Sequence, residues 1–322
     1  NEYTTNIPES TFFKGSYKRH TNFARVPIEQ TFNSAIGFGR KMTATVARSG
    51  DLITQCYLCV KLSGFVLPNE VDCPDSQCQI TVDPLTDLVY WTNEVGHAMI
   101  NEIEVDIGGQ TIDTWYGQFL AIWENLSHKS GKRLGELVGF FPSVADLVAF
   151  SSRDQVLYIP LMFWFNRCTE QSLPVIALQY HEIKFQVKLR PRSELVIYEG
   201  AFAGDDCTAV QNRNCICGGE LTEAFFLINY VYLDTMERRI FATNAHEYLI
   251  TQLQFTGSES KQAGKSQFNI QLYFNHICKE FIWVIQRRDA IEANRWFDFS
   301  GINPDEDPLI SARIQLNAHD LF

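Results

Sequence analysis

Hydrophobic and polar residues alternate with a period of two along much of this chain, the pattern of strands with one buried face. Met42, Ala44 and Val46 alternate with Thr43, Thr45 and Ala47. Ile103, Val105 and Ile107 alternate with Glu104 and Asp106, and Gly108-Gly109 closes a tight turn after them. The cleanest case is Ile183, Phe185, Val187 and Leu189 set against Glu182, Lys184, Gln186, Lys188 and Arg190, with Pro191 as the stop. Leu52–Leu62 and Leu221–Leu233 are apolar on both faces, as expected of strands held between two layers. Tyr158–Phe165 reads as a further strand, as do 248–256, 267–275, 280–287 and 310–317. Phe281–Ile285 is a run expected to be fully buried, and Ile310, Ala312, Ile314 and Leu316 share one face.

Two stretches change period. Trp115, Phe119, Ile122, Trp123 and Leu126 recur at three- and four-residue steps, which predicts a helix with Asp113 as its cap. Ser143-Val144-Ala145-Asp146 resembles a capping box and predicts a short helix over 143–151. Residues 1–40 keep no sustained period and read as an arm. Residues 67–86 and 200–219 read as loops, and the charged segment 234–243 as a link. The chain therefore divides into an arm (1–40), a first β unit (41–233), a linker (234–243) and a second β unit (244–322). Many short strands with turn punctuation and few helices predict an antiparallel sandwich, of which the jelly roll is one form. Leu52-Ile53-Thr54-Gln55 recurs as Leu249-Ile250-Thr251-Gln252, and His97, Ile103 and Val105 echo His276, Ile282 and Val284 in the same order. That echo suggests two similar halves.

The aromatic content, with 24 Phe and 12 Tyr, agrees with a β-rich fold. A net charge of -11 excludes a coat that wraps nucleic acid directly, because such a surface must be basic to displace counterions. The one basic stretch holds Lys14, Lys18, Arg19, His20 and Arg25. It is either a solvated arm or one that meets an acidic partner or a membrane. No run of 18 apolar residues is present, so no membrane span is expected.

Candidate chemistry is sparse. Cys56 and Cys59 form C-x-x-C inside a strand, where positions three apart face opposite ways, so they read as two core thiols. Cys73 and Cys78 in one loop, and Cys207, Cys215 and Cys217 in another, leave disulfides open. The seven histidines form no H-x-H pair and no metal-binding helix signature, so no metal, cofactor or catalytic residue is expected. Asn125-Leu126-Ser127 is a sequon, making Asn125 either a glycosylation site or a plain helix-end residue.

The opening stretch Thr11-Phe12-Phe13-Lys14-Gly15-Ser16-Tyr17-Lys18-Arg19-His20-Thr21-Asn22-Phe23-Ala24 resembles the start of the major capsid proteins of nucleocytoplasmic large DNA viruses. The same resemblance continues in GRKMTATVARSGDLI at 39–53, NEIEVDIGGQTID at 101–113, IPLMFWFNR at 159–167 and LPVIALQYHEIKFQV at 173–187. It extends through YVYLDTMERRIFA at 230–242, HEYLITQLQ at 246–254 and LYFNHICKEFIWVIQ at 272–286. The resemblance implies an all-β double jelly roll, with short helices inserted in the first, and a shell subunit that is not an enzyme. It further implies homotrimers of pseudo-sixfold outline, contacts with neighbouring capsomers and minor capsid proteins, and a place in the virion after assembly in the host cytoplasm. An inner membrane reached through the basic arm is a further expected contact. Trp115, Tyr116, Trp123, Phe140 and Phe141, in the inserted helical region, are either trimer-interface anchors or ordinary core.

The family's second jelly roll normally runs further than Phe322. The sequence is therefore expected to be part of a longer polypeptide, and a mature mass near the 36.9 kDa of this chain would contradict that. The competing readings are a minor or penton capsid subunit, a carbohydrate-binding jelly-roll lectin and a β-sandwich enzyme.

Overall fold

The computed structural model describes residues 21–66, 70–72, 79–81, 88–128, 131–199, 217–260, 267, 269–302, 308–316 and 319–320. Its principal strands are β1 (Phe23–Thr31), β2 (Lys41–Thr45), β3 (Leu52–Leu62), β4 (Leu88–Trp91) and β5 (Ile100–Ile107). They continue as β6 (Gln110–Trp115), β7 (Gln155–Pro160), β8 (Ile183–Leu189), β9 (Val196–Glu199) and β10 (Leu221–Leu233). Helices α1 (Val95–Ala98), α2 (Gly117–Ser127), α3 (Val144–Ser151) and α4 (Trp164–Arg167) lie between β4 and β8. Helices α5 (Thr235–Thr243) and α6 (Arg288–Glu292) follow β10.

Two antiparallel sheets make the core. One has the order β1-β10-β3-β7, with Leu173–Pro174 pairing the start of β3 beside β7. The other has the order β2-β8-β5-β6. Period-two alternation sends Ile183, Phe185, Val187 and Leu189 inward from β8, and Phe226, Ile228 and Tyr230 inward from β10. Phe185 and Phe226 meet across the gap with ring centroids 5.1 Å apart, and Phe32 lies 5.0 Å from Phe226 on the other side. Outside, β8 stays polar. Lys188 pairs with Glu102 of β5 at 3.5 Å, and Lys41 of β2 with Glu104 at 2.9 Å. The β5–β6 hairpin turns at Gly108 and Gly109, with φ of 64° and 85°, values that a side chain rarely adopts. The outer strands of the first sheet carry prolines: Pro27 of β1 opposite Asn229, and Pro160 of β7 opposite Tyr57.

Several expectations need correction. Residues 23–31 are not arm but a strand paired along its length with β10. Most of β1 is exposed at this sheet edge, so no alternation marks it. Lys14, Lys18 and Arg19 lie outside the described residues, and Arg25 belongs to β1. Glu70–Asp72 and Gln79–Thr81 pair within the stretch read as loop. Asp113 is no helix cap: it lies in β6, and α2 starts after Tyr116. The strand read at 158–165 is β7, ending at Pro160, and Trp164–Arg167 is helical. The linker is α5, capped by Asp234, whose side chain accepts from the Thr235 N–H. Ser143 caps α3 as predicted, accepting from the Asp146 N–H at 3.2 Å.

The second half departs furthest. Among the described residues, 248–256, 267–275 and 280–287 form no strand, and of 310–317 only Gln315–Leu316 pairs, with His319–Asp320. Phe281, Trp283, Val284 and Ile310 are exposed rather than buried. Alternation alone does not make a strand, because its N–H and C=O groups need a ladder partner. The segment instead lies against the first unit at a few points. Leu253 N–H donates to Asp113 at 3.1 Å, Asn294 donates to the carbonyls of Ser193 and Val196 at 2.8 Å each, and Trp296 stacks under Arg190.

Phe226→Ala is expected to lower unfolding stability by about 3–5 kcal/mol, read from the urea midpoint, because it opens a cavity between the sheets. Gln186→Ala, on the outer face of β8, is expected to leave that midpoint near wild type.

Candidate functional site

The helices inserted between β6 and β7, together with the chain that flanks them, carry most of the aromatic side chains singled out in the sequence. Their base is a polar and aromatic knot. Trp115 Nε1 donates to Asp113 at 2.9 Å, and the Arg167 guanidinium sits 4.9 Å from the Trp115 ring and 5.0 Å from Trp123. Burial pushes the Asp113 carboxyl above the usual carboxylate range, against hydrogen bonds from Trp115, Leu253 and Thr114 that pull it down. Burial likewise lowers Arg167, opposed by the nearby Asp113 charge. Position 117 must be glycine, since a Cβ there would overlap the carbonyl oxygens of His97 and Ile100. That close approach presses the start of α2 onto α1.

The five aromatic anchor candidates separate in this setting. Trp115 is 1% exposed, so it is core and has no surface left for a neighbour. Trp123 is half-buried against Phe119 and Arg167, and the Tyr116 ring lies 4.8 Å from that of Phe255, tilted by 54°. Phe140 lies under Arg133 at 4.3 Å, and Phe141 against Phe150 at 4.9 Å. The apolar side chains that do point outward here are ones the periodicity does not single out as contacts: Leu126, 66% exposed, with Leu137 and Val144. Asn125 is exposed near the end of α2, but its Nδ2 donates to the Ala121 carbonyl at 2.9 Å and its Oδ1 accepts from Arg133 at 2.7 Å.

Cys56 and Cys59 are free thiols, both buried in β3, and burial pushes each up to about 12. Cys168 is free and exposed. Cys73, Cys78, Cys207 and Cys215 lie outside the described residues, and Cys217 falls in a two-residue strand paired with Phe65–Val66.

Sequence patterning predicts no cluster of metal-binding type, yet the fold builds one. Glu94, His97 and Glu124 are 5%, 1% and 6% exposed, and one donor atom of each lies within 4.8 Å of the other two. Glu94 precedes α1 in the left-handed region, at φ 54°, with its N–H donating to the Gly139 carbonyl. His97 Nδ1 lies 3.4 Å from Glu94 Oε2, and Glu124 Oε1 accepts from the Leu134 N–H at 2.7 Å. The local signal is Glu94-Val95-Gly96-His97, an i, i+3 pair of donors. Glu124 joins only through the α1–α2 contact.

Comparison with known proteins places this architecture. A family model for the major capsid protein N-terminus matches residues 11–234, and one for the large eukaryotic DNA virus major capsid protein matches 237–322. The chain belongs to the major capsid protein family of large eukaryotic DNA viruses. It is 40% identical to Capsid protein 1 of Acanthamoeba polyphaga mimivirus, over 88% of this chain and 46% of that protein. It is 36% identical to the major capsid protein of Pyramimonas orientalis virus, over 99% of this chain and 68% of that one. Among solved structures it resembles the quasi-atomic model of the PBCV-1 virus capsid, with a TM-score of 0.62 and 32% identity over 83% of this chain and 56% of that chain. The fold is thus of the viral double jelly-roll class, mostly β with short helices. The chain spans about half the length of several curated capsid relatives it matches.

Iodoacetamide at mildly alkaline pH is expected to modify Cys168 in the native protein and to leave Cys56 and Cys59 unmodified until denaturant is added. Peptide mass spectrometry reads the three sites separately.

Proposed function

We propose that this member of the capsid family is the shell subunit of an icosahedral large double-stranded DNA virus, working through buried contact area and not through a reactive group. The observation that carries the reading is the pair of capsid models, which follow one another along the chain from residue 11 to residue 322. The fold suits a building block of a shell. A sandwich with a continuous apolar core is stiff, and the inserted helices offer apolar side chains beyond that core.

In this reading three copies form a capsomer of pseudo-hexagonal outline, which meets neighbouring capsomers and minor capsid proteins in the virion. Interfaces of permanent assemblies bury on the order of 2,000–5,000 Å² and are apolar. Exposed Leu126, Leu137 and Val144 would contribute, together with the partly buried Tyr116, Trp123, Phe140 and Phe141. The acidic balance keeps subunits soluble before assembly and argues against direct nucleic-acid binding. A contact of the basic stretch Lys14, Lys18 and Arg19 with minor proteins or an inner membrane belongs to the same reading. Asn125 carries a glycan only where its Nδ2 is released from the Ala121 carbonyl.

Mass photometry of the full-length protein is expected to give three times the protomer mass. Leu126→Glu is expected to shift that population toward monomer while circular dichroism stays unchanged. A folded wild-type protein that remains monomeric at micromolar concentration overturns the trimer.

A further inference from the structure

We propose that Glu94, His97 and Glu124 form a binding site for one divalent transition-metal ion, which pins the inserted helix α2 to α1.

Charge is the first argument. Two carboxylates and an imidazole are each more than nine-tenths buried in one cluster. Among the described residues, no Lys or Arg pairs with Glu94 or Glu124, and the only counter-group is His97. Buried carboxylates without a cation are strongly disfavoured. A divalent ion beside a neutral imidazole cancels both negative charges.

Unused donor capacity is the second. Glu124 spends one oxygen on the Leu134 N–H, and its other oxygen has no hydrogen-bond partner among the described residues. The contact between His97 Nδ1 and Glu94 Oε2, at 3.4 Å, is long for a hydrogen bond to a carboxylate, ordinarily ~2.7–2.9 Å. It does match the spacing of two donors on a tetrahedral ion, about 3.3–3.5 Å for metal–ligand bonds of ~2.0–2.2 Å. Drawing Glu124 inward from its present separation completes three protein ligands, with water as the fourth.

The donor set names the class of ion. Imidazole nitrogen with carboxylate oxygen suits Zn²⁺ or Mn²⁺ better than Ca²⁺, which takes oxygen ligands alone. The ligands come from the residue before α1, from α1 itself and from the third turn of α2, so the ion ties together segments that otherwise meet by backbone packing at Gly117.

The test uses the whole chain, stripped with EDTA, dialysed and titrated with Zn²⁺ by calorimetry, with melting followed in parallel. The expected result is one equivalent of tightly bound Zn²⁺ per chain and a rise in melting temperature. Glu124→Gln keeps an acceptor for the Leu134 N–H but is expected to weaken binding by at least about 100-fold, beyond the ~10–100-fold loss typical of an outer-shell change. Glu94→Gln provides the same comparison should Glu124→Gln not fold. Absence of stoichiometric uptake by the wild type overturns the site. So does a folded variant that binds Zn²⁺ with wild-type affinity, because the ion is then held elsewhere.

Discussion

The contact between two apolar sheet faces, centred on Phe185 and Phe226, is the interaction on which the rest of the molecule depends. Everything outside it is anchored to strands that it fixes. The β5–β6 hairpin sets the position from which α2 departs, and β6 and β7 bracket the helical insertion. Removing the sheet contact would leave two amphipathic sheets whose apolar inner faces have no layer to cover them from water.

The helical insertion solves a different problem, that of attaching a polar, irregular surface to a rigid block. Its attachment is dense at one end, where Gly117 lets backbone meet backbone and Arg167 lies beside two indoles. It is sparse at the other, where Leu126 projects from the final turn of α2. A surface built this way can change its outer side chains at little cost to the core.

Much of this is legible in the sequence, for identifiable reasons. β3, β8 and β10 have the expected limits because strict alternation or two-sided apolarity survives single-residue noise. β1 escapes the pattern because it is an edge strand whose residues are mostly wet. Asp113 is misread as a cap because a short strand runs directly into a helix, and Trp115 belongs to both periodicities. The second half shows the limit of alternation: its pattern is real, but strand formation depends on a partner that lies elsewhere in space. The Glu94-His97 spacing is visible as a pair of donors, whereas Glu124 reaches them only across the junction of two helices. Trp115 reads equally as core and as contact because large aromatics populate both cores and interfaces, and local sequence does not separate the two.

The prolines at the two margins of the first sheet bear on how many copies can coexist. A subunit crowded against its own kind at high local density is exposed to runaway edge-to-edge ribbon growth. Pro27 and Pro160 each withhold an amide hydrogen, so a foreign strand cannot zip along either margin without a gap. A further strand pairing at either margin would leave a carbonyl without its hydrogen-bond partner, a cost that contacts made by side chains do not carry.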